Sequence, residues 1–313
     1  MESNATASTG VKVMGIPSAS AVSAGVASTF HTLVMQPTTL CNLDCAYCYL
    51  PDRNQQRLMS TAVAAACAAS IAAQHSEHPV DVVWHGGEPT ATPPDHFRAL
   101  LAPFEPLRAA GRVRHAIQTN ATLLDERWCD LLAAYQFQVG VSVDGPAWAN
   151  RHRVDRAGHD THARTLRGVR RLNEAGIPFS VICVVTPETI ERVDELLAFF
   201  AGLGCASVGF NIEEQEGGQR RLVDEDGAYR LWRRLIGRRA AGDSLPIREF
   251  DRLANYLSSV RAGQATAAPV DPMPTVGFNG QTVLLSPELL GVAAPHYDDF
   301  IAGNVRSGRS ARA

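Results

Sequence analysis

Three thiols stand within eight residues of one another: Cys41, Cys45 and Cys48 of "CNLDCAYCY", spaced C-x3-C-x2-C. Thiolates on one short loop can converge on a single metal centre. Structural zinc takes four ligands, usually with a second cysteine pair far along the chain. The remaining cysteines, Cys67, Cys129, Cys183 and Cys205, are scattered singly through apolar stretches, as small buried hydrophobes are. A Cys3His zinc site completed by a histidine such as His85 is one reading. The other is a 4Fe–4S cluster, whose four irons are normally held by four cysteines. Three cysteines leave one iron open, and an open metal position is where a ligand is bound and activated.

Such a loop needs a scaffold to present it. The stretches 31–38, 80–84, 113–118, 138–144, 179–185 and 206–211 read as strands. Helical patterns lie between them. Ser60 opens an Ala-rich helix to about Gln74, and Asp125 caps "ERWCDLLAAY". Gly176 ends "HARTLRGVRRLNEAG", and Thr186-Pro187 starts a helix with Ile190, Val193, Leu196, Leu197 and Phe200 on one face. Repeated strand–helix alternation demands a parallel sheet with right-handed crossovers. Six units are too few for a closed eight-stranded barrel. The expected fold class is therefore α/β, a partial (β/α)6 TIM-like barrel with a C-terminal helical and hairpin extension.

The cysteine loop follows the first strand. Later strands run out into His85-Gly86-Gly87-Glu88, Gln118-Thr119-Asn120, Ser142 with Asp144, and Asn211. Polar groups at the C-terminal ends of parallel strands converge on one mouth, where barrel enzymes place their chemistry. After residue 212 the character changes. "EEQEGGQ" is an acidic break, and an arginine-rich helical stretch follows. Ile247, Phe250, Leu253 and Leu257 then mark a second amphipathic helix, and Asn279-Gly280 between apolar runs signals a hairpin. The expected domains are a flexible leader over 1–30, the barrel over 31–211 and the extension over 212–313.

Composition narrows the function classes. With a net charge of −3 the chain offers no field to draw in nucleic acid or an anionic membrane. No apolar run approaches the ~20 residues that span a bilayer, and the start lacks the pattern of a secretory signal. A cytoplasmic location is expected, where clustered cysteines mean metal or redox work and not disulfides.

The cysteine loop closely resembles that of radical S-adenosylmethionine (SAM) enzymes, whose CxxxCxxC loop binds a 4Fe–4S cluster. The resemblance implies that the open iron chelates SAM. One electron then cleaves SAM to methionine and a 5′-deoxyadenosyl radical, which abstracts a substrate hydrogen. Tyr47 matches the family's aromatic position near the adenine. "WHGGEPT" resembles the family's glycine-rich segment. There Gly86 and Gly87 would admit the methionine part of SAM, and Glu88 would accept a hydrogen bond from its ammonium. "QTNATLL", "VGVSVDGP" and "NRHRVDRAG" resemble later segments of the peptide-maturing branch with SPASM extensions. This places Gln118, Asn120, Ser142 and Asp144 around SAM and substrate, and Arg153 on the SAM carboxylate.

"VGFNIEEQEG" and "VLLSPELLGVAAPHYDDFIAGNV" resemble segments of maturases that form cyclophane crosslinks in ribosomally made peptides. Asn211, Glu213 and Glu214 sit where the sixth strand meets the mouth, and would either bind substrate or accept a proton, or form a solvated acidic loop. The implied partners are a precursor peptide and an electron donor such as flavodoxin or ferredoxin. One departure stands out: SPASM extensions carry cysteines for auxiliary clusters, and this chain has none after Cys205. The expectation is one cluster only, held by a shortened relative or a partial chain. Its cluster would then serve as both radical source and electron sink, unless the reaction is redox-neutral. Two alternatives are a radical SAM dehydrogenase or epimerase of a small amino acid or sugar, and a non-catalytic metal-stabilised binding module.

Overall fold

The computed structural model describes residues 27–74, 76, 78–213, 223–263 and 271–307. Most of the expected leader, Glu214 and most of the acidic break lie outside them. The six expected strands are β1 (Thr32–Met35), β2 (Val80–Trp84), β3 (Val113–Thr119), β4 (Gln138–Ser142), β5 (Phe179–Val185) and β6 (Ser207–Ile212). Each pairs in parallel with its neighbour in chain order. Three short strands follow, β7 (Thr275–Val276), β8 (Gln281–Val283) and β9 (Gly303–Asn304). They continue the same sheet, in the order β6-β5-β4-β3-β2-β1-β7-β8-β9. β7 lies parallel to β1 with Val34 opposite Thr275, and β8 and β9 then run antiparallel. The hairpin expected at Asn279-Gly280 is present, with Gly280 at φ +87°. The sheet is open, with β6 and β9 at its edges among the described residues.

The crossover helices are α1 (Thr61–Ala73), α2 (Pro94–Leu101), α3 (Glu105–Ala109), α4 (Glu126–Ala134), α5 (His162–Glu174), α6 (Pro187–Ile190) and α7 (Val193–Leu203). Ser60 Oγ accepts from Val63 N and Asp125 Oδ1 from Trp128 N, so both expected caps form. The single helix expected after Thr186 is two. Arg192 leaves helical geometry (φ −127°, ψ 33°), and its guanidinium lies 3.8 Å from the Trp148 ring centroid.

The central strands β2 to β5 alternate, whereas β1 and β6 each carry three successive buried residues. β5 is buried at Phe179, Val181, Cys183 and Val185 and half-buried between them, and β2 repeats the pattern. The buried set packs against the helices around Trp84, Phe97, Phe104, Trp128 and Phe137. Buried within this aromatic group, His115 accepts from Trp84 Nε1 at 3.2 Å and stacks on Phe137. Burial pushes its pKa down to about 4, so it is neutral. The second set of strand side chains faces away from the helices.

Two helices follow, α8 (Glu225–Ala240) and α9 (Arg248–Arg261). α8 packs on α6 and α7, and α9 on β6. The expected apolar face of α9 is only partly used. Ile247 at its start is buried and bridges to Val208, and Phe250 is half-buried. Leu253 and Leu257 are each 50% exposed. Only the first turn meets the sheet edge, so the stripe beyond it has nothing among the described residues to cover it.

Candidate active site

The cysteine loop leaves β1 and returns to the same point. Thr39 N donates to Arg57 O at 3.0 Å, Met59 N to Pro37 O at 2.8 Å and Cys41 N to Arg53 O at 2.9 Å. The "NRHRVDR" segment runs beside the loop as a strap. Asp44 N donates to Val154 O at 2.8 Å, Ala46 N to His152 O at 3.0 Å, and Leu43 bridges antiparallel to Asp155. The three thiols are half-buried and free. Burial, followed by the Glu88 charge, pushes the Cys41 pKa up to about 12. Burial pushes Cys45 up to about 11 against the pull of Arg153. A metal must therefore displace protons to bind here.

Among the described residues no group of three His, Cys, Asp or Glu side chains stands close enough to hold one metal ion. The donor set still fits a cluster, which takes one thiolate per iron and so spaces its ligands more widely than a single ion does. N–H groups already face Cys41 Sγ, from Leu43 N at 3.4 Å and Asn120 Nδ2 at 4.0 Å. Such donors stabilise a thiolate ligand.

The glycine-rich segment packs directly on the loop's stem. Gly87 has φ +64°, and a Cβ there would stand 2.5 Å from Thr38 O and 2.7 Å from Leu40 O. Its lack of a side chain is required by the protein backbone itself. Glu88 is 2% exposed. Its Oε1 accepts from Thr90 N at 3.0 Å, Thr90 Oγ1 at 2.6 Å and Thr119 Oγ1 at 2.6 Å. Its Oε2 accepts from Asn120 N at 2.8 Å. Burial raises the Glu88 pKa, and these hydrogen bonds oppose the rise. Asn120 carries the network on to the loop, donating to Asn42 Oδ1 at 3.0 Å, while Asn42 Nδ2 donates to Thr122 Oγ1 at 2.8 Å. Glu88 thus joins the glycine segment to the end of β3, and Asn120 joins both to Cys41. His85 lies half-buried nearby, its Nδ1 without a partner among the described residues and its pKa pushed by burial to about 4.

A second network ties the loop to β4 and β5. Asp144 is 1% exposed and Arg153 6%. Arg153 forks onto Asp144, Nε to Oδ2 at 3.0 Å and Nη2 to Oδ1 at 2.9 Å. Asp144 also accepts from Val184 N at 2.9 Å and from the Tyr47 hydroxyl. The Arg153 guanidinium lies 5.4 Å from the Tyr47 ring centroid. Burial works against its charge, but Asp144, Tyr47 and Cys45 outweigh this and hold its pKa above the usual range. The sequence pointed Arg153 at a carboxylate, and the partner it holds here is Asp144.

Polar residues line the sheet face that the helices leave free. Gln118 Nε2 donates to Ser142 Oγ at 2.8 Å, and Ser207 Oγ to Ser180 Oγ at 3.1 Å. Arg248 Nη2, at the start of α9, donates to Asn211 Oδ1 at 2.7 Å. Asn211 itself is exposed, and Glu213 is buried beside it with its N–H on Val185 O at 2.9 Å. The structure therefore gathers Cys41, Cys45, Cys48, Tyr47, Gly86, Gly87, Glu88, Asn120, Asp144 and Arg153 around the loop. Gln118 and Ser142 lie along the open face, and Asn211 and Glu213 sit at the β6 edge. Asn42, Thr122 and Asn150 also build the site, with Asn150 Oδ1 accepting from Asp144 N at 3.1 Å. Their types carry no chemical signal, and only their adjacency to "CNLDC", "QTN" and "NRHR" marks them in the sequence.

An open parallel sheet with a three-cysteine loop at its mouth defines a class. The Radical SAM superfamily model matches residues 35–200. This chain belongs to the radical SAM superfamily, whose members use a 4Fe–4S cluster and SAM. An uncharacterized protein of Synechocystis, sll1766, is 34% identical over 289 residues, 88% of this chain and 73% of that protein. The serine-type anaerobic sulfatase-maturating enzyme of Klebsiella aerogenes is 29% identical over 224 residues, 67% of this chain and 55% of the enzyme. The chain thus spans about half of that enzyme's length. Native anSMEcpe with bound AdoMet superposes with a TM-score of 0.72 at 21% identity, covering 88% of this chain and 78% of that one. Streptococcus suis SuiB bound to precursor peptide SuiA gives 0.64 at 19%, covering 90% and 67%. These two likenesses carry the fold, a partial barrel of the radical SAM kind. Among the described residues no helix is long and apolar enough to cross a membrane.

Proposed function

We propose that the chain is a peptide maturase that joins two side chains of a ribosomally made precursor by a carbon–carbon bond of the cyclophane type. The observation that carries this reading is the polar, half-exposed sheet face running from the cysteine loop to Asn211. The hydrogen-bonding groups of this floor are spread over successive strands, from Gln118 and Ser142 to Asn211, as an extended peptide would need. Relatives named for sulfatase maturation and a structural neighbour bound to a precursor peptide support the peptide class. The crosslink rests on the likeness of "VGFNIEEQEG" and "VLLSPELLGVAAPHYDDFIAGNV" to cyclophane-forming maturases.

In this reading Cys41, Cys45 and Cys48 hold one 4Fe–4S cluster. When bound, the cluster and SAM supply the 5′-deoxyadenosyl radical that abstracts hydrogen. Gly86 and Gly87 keep the glycine segment against the loop stem, and Glu88 fixes the end of β3 beneath it. Tyr47 is oriented toward the adenine side by its bond to Asp144, while Arg153 contributes a buried positive charge. Gln118 and Ser142 present hydrogen bonds along the floor. Asn211 binds the peptide, Glu213 or Glu214 takes the proton released as the new bond forms, and the accompanying electron would pass to the one cluster that Cys41, Cys45 and Cys48 hold. Residues 212–313 form a shortened SPASM-like extension, and the reductant is a small carrier of flavodoxin or ferredoxin type.

The test is anaerobic turnover of candidate precursor peptides followed by mass spectrometry. Loss of two hydrogens together with 5′-deoxyadenosine supports crosslinking. Deuterium uptake from heavy water without mass loss would replace it with epimerisation. A fully loaded protein that forms no 5′-deoxyadenosine would sink the enzymatic reading altogether.

A further inference from the structure

One guanidinium closes the neck of the cysteine loop. Arg156 donates to Cys41 O from Nε at 3.0 Å and from Nη2 at 2.7 Å. The same Nη2 donates to Arg53 O, and Nη1 reaches Asn54 O at 3.4 Å. These carbonyls lie on the two sides of the neck, where Cys41 N already meets Arg53 O. Among the described residues no carboxylate pairs with Arg156, so its charged donors are spent on backbone. Hydrogen bonds from a cation are roughly twice as strong as neutral ones. Arg156 is itself placed by the strap, whose His152 and Val154 carbonyls hold Ala46 and Asp44. Within the loop, Arg53 spans to Asp44 Oδ1 at 2.6 Å.

We infer that Arg156 is a positioning residue for the iron–sulfur cluster: it holds the neck shut so that Cys41 stays in register with Cys45 and Cys48 before and after the cluster binds. The carbonyl that Arg156 holds belongs to a cysteine ligand, so an opening neck carries that ligand away from the other two. A loop pinned at its ends has already lost the closure entropy that ligand convergence would otherwise cost. Groups that hold metal ligands from behind typically change metal retention by about 10–100-fold when removed. The proposal rests on the reading of Cys41, Cys45 and Cys48 as cluster ligands.

The full chain is compared with its Arg156→Met and Arg156→Lys variants after anaerobic reconstitution with iron and sulfide. Three quantities are read: the rate of iron loss to bathophenanthroline, amide hydrogen exchange of the apo-protein over residues 41–53, and Tm. Arg156→Met is expected to lose iron about tenfold faster or more, to exchange faster at Cys41 and Asp44, and to keep its Tm. Arg156→Lys is expected to recover part of the retention, since an ammonium still reaches one carbonyl. Equal iron loss in wild type and Arg156→Met, or unchanged exchange over 41–53, would overturn the proposal alone. So would faster exchange spread evenly through β3 and β5, which would mean general destabilisation. A wild type that takes up no iron would remove the cluster reading, and the proposal with it.

Discussion

The two faces of the sheet are made by the same strands and do opposite work. Along β3, Val113, His115 and Ile117 face the helices, while Arg114, Ala116 and Gln118 face away. On the helix side, contact is apolar and dense, and the buried His115 is held neutral. On the open side, neighbouring strands are joined by polar pairs: Asp81 with Arg114, Gln118 with Ser142, Ser180 with Ser207. Parallel sheets covered on both faces read as unbroken apolar runs. The alternation in β2 to β5 shows that only one face is closely covered there, while β1 and β6 are buried on both. Side-chain parity thus divides stability from chemistry, and a one-residue slip would exchange them.

The contrast breaks if a core truncation and an open-face truncation cost the same. Trp84→Ala removes a fully buried indole from the aromatic group and is expected to cost about 3–5 kcal/mol by denaturant melts. Gln118→Ala on the open face is expected to cost under about 1 kcal/mol, with its effect falling on SAM or peptide binding. Asp144 tests the exception, since it lies at the mouth and is nevertheless buried. Asp144→Asn leaves the Arg153 cation enclosed without its carboxylate, and breaking such a pair costs about 3–5 kcal/mol. A loss under about 1 kcal/mol would show that water reaches Arg153 and that the mouth is as open as the floor.

His115 gives the helix face a pH signature. Its folded pKa, about 4 in the structure, lies below the unfolded value. The unfolded chain therefore binds the proton first, and stability falls as pH drops through the window from about 6.5 to about 4. The contribution is about 3 kcal/mol, complete above pH 6.5 and lost by about pH 4. Burial is the main cause, with Glu105 and Arg108 pulling in opposite directions. Urea melts of wild type and His115→Gln across that window should converge as pH falls. Parallel curves would remove His115 as the cause. At the mouth, Gly87→Ala forces a Cβ onto two carbonyls and a positive φ onto alanine, a strain of about 1–3 kcal/mol. It should also loosen the cysteine loop, read as faster exchange at Cys41.

The strands were legible because alternation is written directly in residue type; 80–84 and 179–185 are found with their expected limits. The loop, the glycine segment and the polar strand ends were legible as a group because the topology brings all C-terminal strand ends to one mouth. Their hydrogen-bond partners were not. Whether Arg153 meets a bound carboxylate or Asp144 depends on a fork closing across nine residues of chain, which residue type does not encode. Glu88 likewise reads in sequence as an acceptor for the SAM ammonium, and in the fold its oxygens are taken by Thr90, Thr119 and Asn120. At the break, the Arg192 guanidinium lies over Trp148, a contact with a residue distant in sequence that residue type alone does not announce.

Helix α9 supplies the smallest expected effect. Its periodicity promised a buried stripe through Leu253 and Leu257, yet the helix has no buried residue, and both leucines stand half in solvent beside Tyr256 and Val260. Burial and not periodicity sets the worth of a side chain, since the transfer free energy scales with area removed from water. Leu253→Ser with Leu257→Ser is therefore expected to change stability by no more than about 0.5 kcal/mol per site. Ile247→Ser, at the anchored first turn, should cost several times as much, because that side chain meets Val208 in the core. A double-serine loss above about 2 kcal/mol would mean that the stripe is covered in solution. The contrast between faces would then extend beyond the sheet, to a helix whose open side is also an apolar contact.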